Sequence, residues 1–437
     1  MTNTIKHFVR VWLLASLLMQ TAHAATDAPL QLDEAVALAL ADNPALAARQ
    51  SRAEALAAVP DQAGTLPDPT LSLNALSFPT DTFSASQEAM TQKQIGIGLT
   101  LPFPGKLGLR EQAADNEAQA AGEDVREQSQ MLERNVRSAW WNLFYLDRAL
   151  DIVLRNQAWL RQLNAIAETR YSTGLGMQSD VLLAQVELSK LLEMELGLRA
   201  SRRNMAARMN ALLGRKAFTD IILPAQASEA LPPVADSEQL IALAQETRPL
   251  LATRRKLRDA AEARTRLAEK DYYPDLKLGL AYGFRSGNNP NGSARADLAS
   301  VTLGISLPLF AGSRQGQAVA QRQAEWQQQD YELQDSVLQV TAQIEQALAE
   351  YQSAREQAAL FKGGLIPQSQ QTVSAMRAAY QVNKVDFLNL VRAQVTLYNY
   401  ETQYWKTISN GWQALANLQA AVGAPLPAPK ENTHENE

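Results

Sequence analysis

At 437 residues, 46% hydrophobic and 20% charged, the chain has the composition of a folded protein able to bury sizeable cores. A net charge of −5 without a basic stripe argues against a nucleic-acid binder. Cysteine is missing, which excludes disulfides, thiolate metal sites and a lipid-anchoring cysteine, and the three histidines, His7, His23 and His434, lie too near the ends to build a triad or zinc site in the body.

The N-terminus carries Lys6 and Arg10, then the apolar run Val11 to Met19, then Ala22-His23-Ala24. A basic start, a short apolar run and an A-x-A site read as a cleaved secretory signal over residues 1–24, the run being too short to span a bilayer. No later apolar run approaches the roughly 20 residues of a spanning helix, so entry into a membrane would be as strands.

A helix is expected from about Asp33 to Val59, followed by a strand from Thr70 to Phe78 whose phase breaks at Ala75-Leu76. The next strand is cleaner: Ile95, Ile97, Leu99 and Leu101 alternate with Gly96, Gly98 and Thr100, making a hairpin over 70–101. Gly96-Ile97-Gly98 lacks the rest of a phosphate loop. Pro102 and Pro104-Gly105 then separate the hairpin from a helix of about Leu107 to Thr169. Along it Leu132, Val136, Ala139, Leu143, Leu146, Leu150 and Val153 recur at spacings of four and three, the seam of a coiled coil. At ~1.5 Å per residue a helix of roughly 65 residues is nearly 100 Å long, which no compact domain needs. A turn at Ser172–Gly176 leads to a return helix ending at Gly214.

Residues 215–236, with Pro224, Pro232 and Pro233, form an irregular connector. A helix from about Ser237 to Asp271 follows, then a second hairpin over 275–307. In its first strand Leu276, Leu278, Leu280, Tyr282 and Phe284 alternate with Lys277, Gly279, Ala281 and Gly283; in its second Val301, Leu303, Ile305 and Leu307 alternate with Thr302, Gly304 and Ser306. This period of two puts the large apolar side chains on one face. A polar loop, Arg285 to Arg295, joins the strands, and about ten residues is the length with which a tilted strand crosses a bilayer. A second long helix starts near Arg314 with the seam Leu333, Val337, Val340, Ile344, Ala347 and Tyr351. Gly363-Gly364 and Pro367 predict a break or kink in it. The turn Gln381–Lys384 leads to a return helix ending at Gly423, and the tail 424–437, proline-rich and then polar, reads as disordered.

The two halves repeat. Asp42-Asn43-Pro44 matches Thr247-Arg248-Pro249 at a shift of 205, as does Pro69 with Pro274; Gly98 to Pro102 matches Gly304 to Pro308 at 206; Tyr171 matches Tyr380 and Ala184 matches Ala393 at 209. Residues 25–214 and 237–423 therefore form two copies of one plan, mostly α with a small transmembrane β part. Four strands cannot close a barrel, and open strand edges are not tolerated in lipid, so membranous strands would require several copies to share one barrel.

With this plan, the tip segments Tyr171 to Leu188 and Tyr380 to Leu397, and the closing Asn210-Ala-Leu-Leu-Gly214, the chain resembles the TolC family of outer-membrane efflux factors over nearly all of its mature length. The resemblance implies a homotrimer with a twelve-stranded β-barrel in outer-membrane lipid and an α-helical coiled-coil periplasmic tunnel closed at its tip. It also implies docking to a periplasmic adaptor and an inner-membrane RND-type pump; the residues themselves offer no catalytic constellation and no cofactor site. Leu66-Pro-Asp-Pro-Thr70, Gln87 to Gln94 and Leu101-Pro-Phe-Pro-Gly-Lys-Leu-Gly-Leu-Arg110 are similar to the heavy-metal branch, of the cobalt–zinc–cadmium and copper–silver kind. Drugs or a secreted polypeptide are alternative cargoes, and a soluble periplasmic coiled-coil adaptor or scaffold is an alternative of another class.

In that family an aspartate after the first tip turn and a tyrosine beginning the second take part in closing the tunnel; Asp180 and Tyr380 hold those positions. Asp180 could equally be an ordinary N-cap. Where the family has acidic rings on the second return helix, this chain has Asn389 and Arg392, with Asp386 nearby as a substitute carboxylate. Met90, Met177 and Met376 suggest packing before soft-metal binding, and Trp140, Trp141, Trp405 and Trp412 suggest packing between helices.

Overall fold

Proline 44 and proline 249 decide how the fold begins in each half. Each removes a backbone donor and holds the residue before it extended, Asn43 at ψ 116° and Arg248 at ψ 117°. In the computed structural model, which describes residues 29–428, the single opening helix expected from Asp33 to Val59 is therefore split at Pro44 into α1 (Leu32–Asp42) and α2 (Pro44–Ala57), and a short α3 (Val59–Gly64) with Pro60 in its first turn follows. The expected Ser237–Asp271 helix is likewise two, α6 (Ser237–Thr247) and α7 (Pro249–Lys270). The signal segment 1–24 and the tail beyond 428 lie outside the described residues.

Each kink receives the end of a return helix. Helix α5 (Gln178–Leu212) ends at Gly214, with φ 68°, and α10 (Phe387–Val422) ends at Gly423, with φ 85°. A Cβ at Gly214 would stand 2.5 Å from the Asp42 carbonyl oxygen, and one at Gly423 2.7 Å from Arg248 Cα. Left-handed backbone and close approach thus both demand glycine at these two ends. Asn43 completes the first lock: it accepts from the N–H groups of Ala45 and Leu46 at 2.9 and 3.2 Å and donates to the Leu212 carbonyl at 2.9 Å. In the second, the Thr247 hydroxyl donates to Val422 O at 2.9 Å.

The rods are α4 (Lys106–Ser172), of 67 residues, and the run α8 (Gln315–Leu360) and α9 (Ile366–Gln381). At ~1.5 Å per residue α4 alone spans about 100 Å. Its seam residues Leu132, Val136, Ala139, Leu143, Leu146 and Val153 are buried, as are Val340, Ile344, Ala347 and Tyr351 of α8. The break or kink expected at Gly363-Gly364 and Pro367 takes the form of one π-helical turn, Phe361–Leu365, after which the rod continues. The wider turn absorbs the hydrogen bond that Pro367 cannot make. The 215–236 connector holds this point: Glu229 accepts from Lys362 Nζ at 2.7 Å and from the Tyr404 hydroxyl at 2.6 Å, and Trp412 donates to Ser228 O at 3.0 Å. The four tryptophans named above pack here. Trp141 stacks on Trp412 with ring centroids 5.1 Å apart, Trp405 meets Phe144 edge-on, and the buried Trp140 Nε1 donates to Leu30 O at 3.0 Å.

The strands are β1 (Thr70–Leu76), β2 (Gln92–Leu101), β3 (Leu276–Arg285) and β4 (Leu298–Ile305), in one antiparallel sheet of order β1-β2-β3-β4. Strand β1 stops short of Phe78 because Ser77 turns to φ 54°, just past the break in phase. Strand β4 starts before Val301 and excludes Leu307. Pairing of β2 with β3 over ten residues fuses the two hairpins, and the register aligns Leu71, Ile97, Leu280 and Val301, then Leu99, Leu278 and Leu303, on one face. That face is open: Leu73 is 76% exposed and Val301 79%. On the other face Gly96, Gly98, Gly279 and Gly304 share rows with Ser72, Thr302 and Lys277. Edges β1 and β4 carry no strand partner among the described residues.

Where the sheet meets the rods, the Leu101–Arg110 motif has a physical meaning. Gly105, at φ 90°, turns the chain so that Lys106 is buried at the start of α4, 2.9 Å from Asp275, 3.1 Å from Asp271 and 3.3 Å from Tyr273 O. Phe103 stacks on Tyr273 at 4.5 Å and donates its N–H to Asp275 at 2.8 Å. Burial disfavours the Asp275 charge, but the Phe103 N–H and the Lys106 ammonium outweigh it and hold the carboxyl below its usual range.

Candidate functional site

At the end of the rods opposite the sheet, two turns lie side by side: Thr173 to Met177 between α4 and α5, and Val382 to Asp386 between α9 and α10. The repeat is visible in the backbone, since Gly174 at φ 76° and Asn383 at φ 58° occupy equivalent places at the 209 shift. Asparagine is one of the few side chains that accept this conformation.

Arg170, in the last turn of α4, ties the turns together. Its Nη1 donates to the Tyr380 carbonyl at 3.0 Å, its Nη2 donates to the Asn383 side-chain oxygen, and its guanidinium carbon stands 4.7 Å from the Tyr380 ring centroid. Tyr380 itself is buried, with its ring edge-on to Phe387 at 5.6 Å. Burial pushes its hydroxyl above the usual tyrosine range, with Asp180 adding to the shift and Arg170 opposing it. Met376 packs into the same core, while Met90 and Met177 are exposed.

Asp180 is not an N-cap. The cap position of α5 is Met177, without a side-chain cap, and Asp180 sits half-buried in the first turn. Burial raises its carboxyl pKa and Asp386 raises it further, while Arg170 and the Met177 backbone pull it back. Asp386 is exposed at the N-cap of α10, again without a side-chain cap bond. Thus Tyr380 and Asp180 lie beside Arg170, and Asp386 is close enough to Asp180 to act on its carboxyl. Asn389 and Arg392 do not join them; both are exposed along the first turns of α10, three residues apart and so on one side of the helix. The tip therefore carries mixed charge: the carboxylates of Asp180 and Asp386, the guanidinium groups of Arg170 and Arg392, and the ammonium group of Lys384 in the second turn. Among the described residues no group of three or more His, Asp or Glu side chains could hold a metal ion.

Arg170 was not legible from the tip motif, though the repeat held a signal. At the 209 shift Tyr171 pairs with Tyr380, whereas Arg170 pairs with Ala379, so one half alone carries the cation.

A family profile described as outer membrane efflux protein matches residues 35–215 and 240–424. The chain belongs to the outer membrane efflux protein family. The profile falls once on each repeat, as the doubled architecture requires. The cobalt-zinc-cadmium resistance protein CzcC of Cupriavidus metallidurans is 22% identical over 396 residues, covering 90% of both chains. The fold is that of the outer membrane protein VceC from Vibrio cholerae, with a TM-score of 0.75 at 19% identity over 90% of this chain and 96% of that one. It is equally that of CusC, with a TM-score of 0.75 at 18% identity over 91% and 93%. The outer-membrane channel OprN gives 0.76 at 19% identity over 90% of each chain. Like other outer membrane efflux proteins, this one resides in the outer membrane and serves export. No helix among the described residues is long and apolar enough to cross a membrane.

Proposed function

We propose that three copies complete one twelve-stranded barrel and that their rods form a periplasmic tunnel, the exit duct of a tripartite pump for heavy-metal cations. One observation carries the reading: a four-stranded sheet with two unpaired edges and a face of exposed Leu, Ile and Val. In hydrocarbon every strand edge must be paired, so the sheet has to continue into further copies. The chain is then a leader at 1–24, repeats at 25–214 and 237–423, a connector at 215–236 around the equator of the tunnel, and a tail at 424–437. A periplasmic adaptor and an inner-membrane pump complete the path, and transport through the duct is passive. Metal cations are favoured by the likeness to CzcC, a cobalt-zinc-cadmium resistance protein.

The gate is the tip. Tyr380 and Asp180, beside Arg170, form the latch between the turns with Asp386 next to Asp180, and Asn389 and Arg392 line the approach on α10. Purified protein should have a trimeric mass in detergent and conduct in planar bilayers; a monomer without conductance refutes the shared barrel. Deletion from a host resistant to both metals and drugs assigns cargo by the sensitivity that appears, and drug sensitivity alone refutes the metal reading.

A further inference from the structure

The sheet-to-rod joint is complete on one side of the molecule and half-built on the other. Inside one chain, residues 101–106 below β2 lie against residues 271–275 below β3, joined by the Phe103–Tyr273 stack and by Lys106. The repeat predicts the same joint between the segment below β4 and the segment below β1, because Leu101 to Lys106 corresponds to 307–312 and Tyr273 to Asp68. In one chain these two segments stand at opposite edges of the sheet, about 14 Å apart at ~4.8 Å per strand. Both lie open. Leu307, Leu309 and Phe310 are 67%, 79% and 75% exposed, and Leu66 through Thr70 are exposed throughout.

We propose that Leu307–Phe310 of one copy seat against Leu66–Thr70 of the next, repeating between subunits the joint that 101–106 makes with 271–275 within one. The proposal rests on the shared barrel and adds the contact surface that orders the copies. Register supports it. Carrying the Leu99 to Leu278 pair over by the same shifts, 206 for β2 to β4 and 205 for β3 to β1, sets Ile305 opposite Leu73 of the neighbour. Both belong to the apolar face, whereas a slip of one residue would oppose Ile305 to a side chain of the other face. The new joint is apolar where the internal one is ionic, since Gly312 stands at the place of Lys106. A seat of Leu, Pro and Phe matches a contact that is buried only on assembly.

The native chain lacks cysteine, so paired substitutions report cleanly. Asp68→Cys with Leu309→Cys, both at exposed positions, is treated in membranes with a short thiol-to-thiol reagent and run on a denaturing gel. Leu73→Cys with Ile305→Cys tests the strand edges alone, and each single variant is the blank. The expected result is a ladder of two and three chains from both double variants and none from the blanks. A ladder from the strand pair but none from Asp68/Leu309 overturns this joint and leaves the shared barrel standing, as does labelling of Leu309→Cys by a lipid-phase reagent without a ladder. A product confined to one chain also overturns the joint. No ladder from either pair, with a monomeric mass in detergent, overturns the joint and the barrel together.

Discussion

Arg170→Ala should leave the tip open more of the time. The side chain makes two hydrogen bonds to the second turn, one to the Tyr380 carbonyl and one to Asn383, and a cation–π contact with the Tyr380 ring. Hydrogen bonds from a charged donor contribute about 1.5–3 kcal/mol each when desolvated, and the ring contact about 0.5–1 kcal/mol at a partly exposed site. Water replaces much of this in the opened tip, so a net loss of about 2 kcal/mol per subunit is a sober figure, worth roughly 30-fold in the closed-to-open ratio. Single-channel recording in planar bilayers should therefore show a rise in open probability or resting conductance for Arg170→Ala. Arg170→Lys should fall between, since a point cation cannot serve the carbonyl, the amide and the ring together. Tyr380→Phe, which keeps ring and carbonyl, should change little, whereas Tyr380→Ala should resemble Arg170→Ala. Resting conductance unchanged in Arg170→Ala, with the trimer intact, would refute the latch.

Other expectations follow from the same geometry. Lys106→Met strands Asp271 and Asp275 without their shared cation and should cost about 1–3 kcal/mol in thermal stability, less than a fully buried pair because both carboxylates see solvent. Asp275 has a folded pKa below its ordinary 3.8, so its contribution is complete above that value and disappears as pH falls through the lowered one; the gap in melting temperature between wild type and Asp275→Asn should close on acidification below about 3.8. Gly214→Ala and Gly423→Ala should each destabilise by at least about 2 kcal/mol, while Gly122→Ala, in mid-helix with open space around its Cα, should stabilise by about 0.5–1 kcal/mol, all read from melting curves. Leu280→Arg, on the open face of β3, should cost up to about 2–4 kcal/mol in membranes and lower the folded fraction on gels, whereas Thr302→Arg on the opposite face should be tolerated.

Part of the tip was legible because the repeat aligns its turns, and the structure sets Asp180 and Tyr380 beside Arg170, with Asp386 near Asp180. What periodicity could not supply was the partner of Arg170, which lies 210 residues away, or the burial that raises the Asp180 and Tyr380 pKa values. Proline 44 and proline 249 stood in view, yet a continuous helical pattern on either side concealed the kinks. Gly363-Gly364 and Pro367 did mark an irregular point in the rod, but only the structure shows its form, a π turn held by Glu229 that keeps the helix continuous.

By itself the sequence determined the strands, the rods, their lengths and their duplication, because alternation of two and spacing of three and four are properties of neighbouring residues. Tertiary structure alone decided that β2 pairs with β3 to fuse the halves, that Lys106 is the buried pin of the joint, and that Arg170 bridges the turns. Each of these depends on groups far apart in the chain, whose meeting is selected by burial and hydrogen bonding across the whole fold rather than by any local pattern.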